Sequence, residues 1–143
     1  MSEIVQRAKE LAYRAHAGQV DMAGRPYIAH VARVAARVAD DPEAEAVAWL
    51  HDCMEDAPWS EEEIRCNFPI AISLAAAAIT RWRWHSAGVY YEHVSANPLA
   101  LRVKLADIAD NADESRLALL DETTAARLRR KYAKALAALG HNA

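Results

Sequence analysis

The chain has 143 residues, a net charge of −3, and 53% hydrophobic against 26% charged residues. This length suits about one domain, and the balance of apolar and charged residues excludes a disordered chain. The negative net charge argues against a nucleic-acid polymer as partner, because proteins that bind one normally present a basic surface. No apolar stretch approaches the ~20 residues that span a bilayer, and the N-terminus lacks the basic start and apolar run of a signal peptide. We therefore expect a cytoplasmic protein without a membrane partner.

Strong helix formers dominate the sequence, and only four residues are glycine. No segment alternates apolar and polar residues for long enough to form a half-buried strand. These patterns predict an all-α fold, a compact bundle of about six to eight helices in one domain over residues 1–143. Cap and breaker signals place the helices, in chain order, over residues 2–17, 26–40 and 41–56, from 60 to 69, from 69 to 80, within 81–97, over 98–115 and over 121–140.

Cap signals mark three of these helix starts. Asp41 and Asn97 are each followed by a proline, which suits an N-cap residue and the first helical position. Ser60 with Glu63 three residues later predicts a capping box.

Four ionisable residues close the third predicted helix, among apolar neighbours. Helical spacing would place His51 and Glu55 on one row, and Asp52 and Asp56 on the next. Burying these groups without partners would cost several kcal/mol or more, so something must compensate them. A divalent cation would compensate His51 and Asp52 and leave Glu55 and Asp56 to accept or donate a proton. The alternative is a His-Asp pair hydrogen-bonded in the core, with the two later acids in solvent.

A second polar cluster lies in the helix predicted over residues 98–115. Asp107 and Asn111 are four residues apart and share one face among apolar neighbours. The alternative is an ordinary amphipathic helix whose acids face water, and this alternative fits Asp110 and Asp113 better than Asp107.

A third element is His30, near the start of the second predicted helix. With the His51-Asp52 pair and Asp107, it completes a set of two imidazoles and two carboxylates from three helices. Such a mixed set suits Mn²⁺ or Fe²⁺, since magnesium rarely takes histidine ligands and structural zinc usually takes thiolates. A metal of this kind lowers the pKa of bound water and neutralises charge on a phosphoryl group.

The order histidine, His-Asp and distant aspartate resembles the signature of the HD phosphohydrolase superfamily. The chain is most similar to its branch of small alarmone hydrolases, which resemble the hydrolase domain of RelA/SpoT-homologue enzymes. Four segments carry the likeness, in order and over nearly the whole chain: AHAGQ (15–19), GRPYIAH (24–30), WLHD through the acids at 55 and 56 (49–56), and VKLAD with the later asparagine (103–111). The resemblance implies an HD-domain bundle that uses Mn²⁺ to remove the 3′-pyrophosphate of a ppGpp-like nucleotide.

The resemblance also implies roles for single residues. The implied metal ligands are His30, His51, Asp52 and Asp107. Glu55 and Asp56 would position or deprotonate the attacking water. Asn111 would bind substrate, and Lys104 would support the site.

Three further residues are candidates for substrate contacts. Arg81 occupies a place where the family often has lysine, so it could hold a phosphate, although a solvated charge explains it equally well. Arg130 and Tyr132 on the last helix are similar candidates, but a charged helix face explains the basic residues there more simply.

Two departures from the family pattern bear on the substrate. The family has arginine and then lysine where this chain has Asp21 and Met22, and that basic pair contacts the nucleotide. An acidic residue near a polyphosphate is repulsive, so either the loop over residues 19–25 points elsewhere or the ligand differs. Arg25 or Arg81 would then supply the absent positive charge.

The expected function is Mn²⁺-dependent hydrolysis of a 3′-pyrophosphorylated nucleotide, of ppGpp or ppApp type, with release of pyrophosphate. Two alternatives stay open. One is a phosphatase of the same superfamily acting on nucleoside monophosphates or another small phosphoester. The other is a non-enzymatic, metal-binding regulatory module. For the pyrophosphohydrolase and for the phosphatase, the partner is a small phosphorylated nucleotide or ester. The sequence leaves the oligomeric state open.

Overall fold

A computed structural model describes residues 2–140 of the chain. Over that range ten α-helical segments follow one another without a β-sheet, which confirms the all-α prediction. They are α1 (Glu3–Ala15), α2 (Tyr27–Arg37), α3 (Pro42–Leu50), α4 (Cys53–Asp56), α5 (Ser60–Asn67), α6 (Ile70–Ile79), α7 (Ala87–Ser95), α8 (Pro98–Asn111), α9 (Glu114–Leu117) and α10 (Glu122–Ala138). Eight of them are at least 8 residues long, in agreement with the expected six to eight helices, whereas α4 and α9 are single turns of 4 residues.

Helix α3 lies at the centre of the bundle and packs against α1, α2, α6 and α8. Six of its 9 residues are buried, so it is apolar around most of its circumference rather than along one stripe. Because α3 contacts both α2 and α8, residues at its C-terminal end can meet residues of those two helices in the interior.

The helix predicted over residues 41–56 is interrupted, so the prediction of two continuous side-chain rows is wrong. Helix α3 ends at Leu50, and α4 begins only at Cys53. Asp52 leaves the helical region with φ −111° and ψ 2°. The His51 side chain bonds to the carbonyl oxygen of Ala48 at 2.7 Å, which helps to end the regular helix there. The break turns Asp52 away from the continuing helical path.

The predicted helix starts are confirmed at two of the three cap signals. Asp41 accepts a hydrogen bond from the backbone of Glu43 at 3.0 Å, and Asn97 caps α8 in the same manner. The capping box at Ser60 is wrong. The Ser60 backbone donates to the carbonyl of Ala57 at 2.9 Å, and Ser60 is the first residue of α5 rather than its N-cap. Its hydroxyl is buried and forms no hydrogen bond, so it does not cap the helix.

Helix α8 ends at Asn111 rather than near residue 115 as predicted. The side chain of Asp113 accepts a hydrogen bond from the backbone of Ser115 at 2.9 Å and starts the separate turn α9.

None of the helices in residues 2–140 combines the length and apolar character that a membrane span requires. The cytoplasmic location and the one-domain organisation stay predictions.

Candidate metal centre and adjoining cavity

Four side chains from separate elements meet in the interior. His30 comes from α2, His51 from the end of α3, Asp52 from the break before α4, and Asp107 from α8. Each offers one nitrogen or oxygen atom, and these atoms lie within 4.8 Å of one another. Both histidines and Asp107 are buried. The structure thus brings together the four residues that the sequence predicted as a ligand set, and the group could hold a divalent metal ion.

The His51 ring is oriented by the backbone. Its Nδ1 atom donates to the carbonyl oxygen of Ala48, so the lone pair of the neutral ring lies on Nε2. That Nε2 atom is buried, 3.1 Å from the Asp52 carboxylate and 3.3 Å from that of Asp107, and it forms no hydrogen bond. Burial opposes protonation, but the Asp52 and Asp107 carboxylates raise the pKa of His51 well above its usual value. The two carboxylates therefore favour a positive charge at Nε2, either a proton or a metal ion. A histidine whose other ring nitrogen donates to a backbone carbonyl is a common metal ligand.

His30 is held by a carboxylate that sequence reasoning assigned wrongly. Asp110 was expected to face water, yet it is 2% exposed and its Oδ2 atom lies 2.6 Å from Nδ1 of His30. Arg33 donates to the same carboxylate at 2.9 Å. Burial opposes ionisation of Asp110, but the bonds to His30 and Arg33 lower its pKa to about 2. Asp110 follows Asp107 by three residues, so it lies one helical turn further on the same face, and this spacing was the available signal.

Tyr27 is a second supporting residue without an assigned role in the sequence reasoning. Its hydroxyl donates to the Asp52 carboxylate. Its ring lies between the rings of His16 and His30, with centroids 5.1 and 5.3 Å away. Burial disfavours the charged form of Asp52, but His51 and this hydroxyl hold the pKa of Asp52 at about 2. The carboxylate is therefore ionised and fixed in direction.

The two acids predicted to act on water lie on the single turn α4, directly after Asp52. The Glu55 carboxylate accepts a hydrogen bond from the backbone of Arg81. Desolvation by the surrounding protein atoms raises the pKa of Glu55 to about 7, although the hydrogen bond from the Arg81 backbone acts to lower it. Asp56 accepts from Nε2 of Gln19 at 3.1 Å, and Gln19 in turn bonds to Nδ1 of His16 at 2.8 Å. Gln19 therefore links His16 to Asp56.

Lys104 lies against the site rather than reaching into solvent. Its Nζ atom donates to Asp107 at 3.1 Å and lies 5.4 Å from the centre of the Tyr90 ring. Burial disfavours its charge, but the Asp107 carboxylate raises the pKa of Lys104 above its usual value. The guanidinium of Arg81 lies 5.9 Å from the same Tyr90 ring, on the side of the site where Glu55 is bonded.

A cavity of about 640 Å³ adjoins the four-residue group. Asn111 and Tyr27 lie in its wall, and these two residues hydrogen-bond to Asp107 and Asp52. The other wall residues of interest are Asp21, Met22, Arg25, Arg33, Arg116 and Tyr132. Three of the predicted substrate contacts, Asn111, Arg25 and Tyr132, thus share this cavity. Arg130 is exposed on α10 and does not line it.

Asp21 does not present a free charge to the cavity. One carboxylate oxygen accepts hydrogen bonds from the backbones of Ala23 and Arg25, both at 2.9 Å. The other oxygen lies 3.1 Å from Arg116. Asp21 therefore stabilises the loop that contains it and is paired with Arg116. The sequence did not indicate this arginine, because no local pattern links residues so far apart.

Comparison with known proteins gives a consistent picture. A guanosine-3′,5′-bis(diphosphate) 3′-pyrophosphohydrolase from Aquifex aeolicus is 31% identical over 121 residues, which are 77% of this chain and 17% of that protein. A protein of the same name from Haemophilus influenzae is 39% identical over 66 residues, 44% of this chain and 10% of that protein. No protein-family model matches the chain.

One solved structure has the same fold. It belongs to a metazoan ortholog of SpoT, described as hydrolysing ppGpp and playing a role in starvation responses, and it matches with a TM-score of 0.81 at 22% identity. The match covers 100% of this chain and 89% of that chain. The segments that match this chain make up only 17% and 10% of the two bacterial proteins. The sequence matches and the fold both support the resemblance to HD-domain alarmone hydrolases that the motifs indicated.

Proposed function

We propose that the chain is a divalent-metal-dependent pyrophosphohydrolase that removes the 3′-pyrophosphate of an alarmone-type nucleotide. The observation that carries the proposal is the buried His51 Nε2 atom, which has no hydrogen bond and lies between the carboxylates of Asp52 and Asp107. A cation is the group that such a nitrogen and two carboxylates would jointly bind. The cavity beside them has room for a nucleotide-sized ligand.

The metal would be held by His30, His51, Asp52 and Asp107. Two imidazoles and two carboxylates favour Mn²⁺, with Fe²⁺ as the other candidate. When bound, the ion would supply Lewis acidity, which makes water easier to deprotonate and offsets negative charge on a phosphoryl group.

The residues around this group divide the remaining work. Glu55, with a pKa of about 7, is suited to accept a proton from the attacking water near neutral pH. Asp56 is held by Gln19 and would orient that water. Asn111 and Tyr132, in the cavity wall, would contact the nucleotide.

Cations near the site would bind the phosphates. Arg25 lines the cavity, and Arg81 lies near Glu55 on the other side of the group. Lys104 is committed to Asp107, so its proposed role is to hold that carboxylate rather than to contact substrate directly. The names of the bacterial relatives favour ppGpp as substrate, while Asp21 and Met22 keep ppApp as the second candidate.

The proposal is tested by incubating the Mn²⁺-loaded protein with ppGpp and with ppApp and separating the products. We expect pyrophosphate from at least one of them. Glu55→Gln and Asp56→Asn should lower turnover by two or more orders of magnitude while Mn²⁺ binding persists, because neither acid is a proposed ligand. Glu62→Gln, an exposed change of the same kind on α5, is the matched control.

Each alternative predicts a different result in that assay. Release of inorganic phosphate from nucleoside monophosphates, without pyrophosphate from either alarmone, would favour the phosphatase. A protein that binds Mn²⁺ tightly and turns over none of these substrates would favour the regulatory module.

A further inference from the structure

The loop over residues 19–25 is tied to the far side of the site by one arginine. The NH2 atom of Arg116 lies 3.1 Å from Oδ2 of Asp21, across 95 residues of sequence. Both side chains are largely withdrawn from solvent, with 22% and 10% of their surfaces exposed. The loop backbone is in turn held by the other oxygen of Asp21 through Ala23 and Arg25. A single ion pair therefore connects the shape of the loop to the segment that follows α8.

The other terminal nitrogen of Arg116 reaches the residues that support the four-residue group. NH1 donates to Asp110 Oδ2 at 3.0 Å, and Asp110 bonds to His30. NH1 also donates to Asn111 Oδ1 at 3.0 Å. One guanidinium thus contacts the carboxylate behind His30 and the amide beside the cavity.

The contact with Asn111 has a directional consequence. Because its amide oxygen accepts from Arg116, its amide nitrogen faces the site and donates to Oδ1 of Asp107 at 3.1 Å. Asn111 is therefore held in one of its two amide orientations. Loss of Arg116 would free that amide to turn and would leave Asp110 with one cation fewer.

We propose that Arg116 is a positioning residue that couples the 19–25 loop to the proposed metal ligands, with Asp21 as its partner on the loop. The proposal rests on the function proposed above. It explains how an acid occupies the place of a basic residue without repelling a phosphate, since the charge of Asp21 is matched by Arg116. The planar fork of an arginine is required, because a lysine ammonium is a point charge that cannot present two separated nitrogens.

The test compares Arg116→Gln, Arg116→Lys, Asp21→Asn and the Asp21→Asn/Arg116→Gln double variant. Mn²⁺ affinity is measured by electron paramagnetic resonance without nucleotide, and backbone hydrogen exchange is followed over residues 19–25. We expect Arg116→Gln to weaken Mn²⁺ binding about 10-fold or more, in the range typical for residues that support metal ligands. Arg116→Lys should recover only part of that loss, and Asp21→Asn should speed loop exchange while Mn²⁺ affinity stays within about 3-fold.

The kinetic readout separates positioning from simple loss of structure. With the substrate that the product assay identifies, Asp21→Asn should raise KM by several-fold with little change in kcat, whereas Arg116→Gln should change both. In the double variant Asp21→Asn should add almost nothing to loop exchange beyond Arg116→Gln alone, because the partner is already gone. Arg129→Gln, which removes an exposed arginine paired with Glu114, is the control for charge loss.

Two outcomes would overturn the proposal. One is an Arg116→Gln protein that keeps wild-type Mn²⁺ affinity and loop exchange. The other is full additivity of the two substitutions. A wild-type protein that binds no Mn²⁺ would instead contradict the proposed function, so the two failures are distinguishable.

Discussion

Asp110 and His30 form a buried pair in which a carboxylate oxygen lies 2.6 Å from the Nδ1 atom. This contact places the Nε2 atom of His30 toward Asp107, 2.9 Å away. A carboxylate behind a histidine ligand fixes the tautomer and direction of the ring and increases its basicity. Asp110 therefore supports the proposed metal centre without being one of its ligands.

Replacing Asp110 by asparagine should weaken Mn²⁺ binding about 10- to 100-fold, the usual cost of losing such a support. Asparagine nearly preserves the shape of the side chain but removes the charge that faces His30 and Arg33. Isothermal titration with Mn²⁺ measures the change. Asp113→Asn is the matched control, since Asp113 caps α9 and asparagine can still do so. Equal Mn²⁺ affinities of the two variants would contradict the supporting role.

Removing the Tyr27 hydroxyl should destabilise the metal-free protein by about 1.5–3 kcal/mol, the range for a hydrogen bond to a charged group. Tyr27→Phe keeps the ring between His16 and His30 but takes a donor from Asp52. Urea unfolding in the presence of a chelator gives the difference. Tyr91→Phe is the comparison, because Tyr91 is half-buried and donates no side-chain hydrogen bond to the described residues. The idea fails if both variants lose the same stability.

The pKa of Glu55 predicts a pH dependence of stability. Desolvation by the surrounding protein atoms raises that pKa to about 7, whereas in the unfolded chain it lies near 4.5. The unfolded chain therefore releases this proton first, and the contribution of Glu55 to stability is complete below pH 4.5 and is lost as the pH rises towards 7. Compared with Glu55→Gln, the metal-free wild type should lose stability between pH 5 and 8. Parallel curves for the two proteins in chemical unfolding at several pH values would contradict this assignment.

Mn²⁺ should stabilise the folded protein against heat. An ion at 100 times its dissociation constant adds about 2.7 kcal/mol, which for a chain of this size raises Tm by on the order of 5–10 °C. His51→Gln should abolish most of that gain, because it removes the nitrogen that has no hydrogen bond. His93→Gln, at an exposed position on α7, should keep it. Differential scanning calorimetry with and without Mn²⁺ checks both, and an undiminished gain in His51→Gln would place the metal elsewhere.

The candidate ligands could be found from the sequence because of where they lie in the pattern. His51 and Asp107 are polar residues at positions that the surrounding apolar residues mark as buried, and each therefore demands a compensating group. Proline with a preceding Asp41 or Asn97 likewise identified helix starts correctly, since a cap depends on residues only two or three positions apart.

The same local rules failed where a side chain interrupts the backbone. At the break after Leu50 the His51 ring bonds to the Ala48 carbonyl, and residue spacing alone predicted an uninterrupted helix there. Asp110 was assigned to solvent because its own helix does not reveal that His30 and Arg33 lie opposite.

Composition and local spacing were thus enough to establish a helical protein, the approximate bounds of its helices, and a set of four residues suited to a metal. The pairings that support this set came from long-range packing. His30 meets Asp110 across 80 residues of sequence, and Asp21 meets Arg116 across 95. Helix propensity and capping act over a few residues, whereas these contacts form because burying α3 against α2 and α8 brings distant charges into one interior, where each must find a partner.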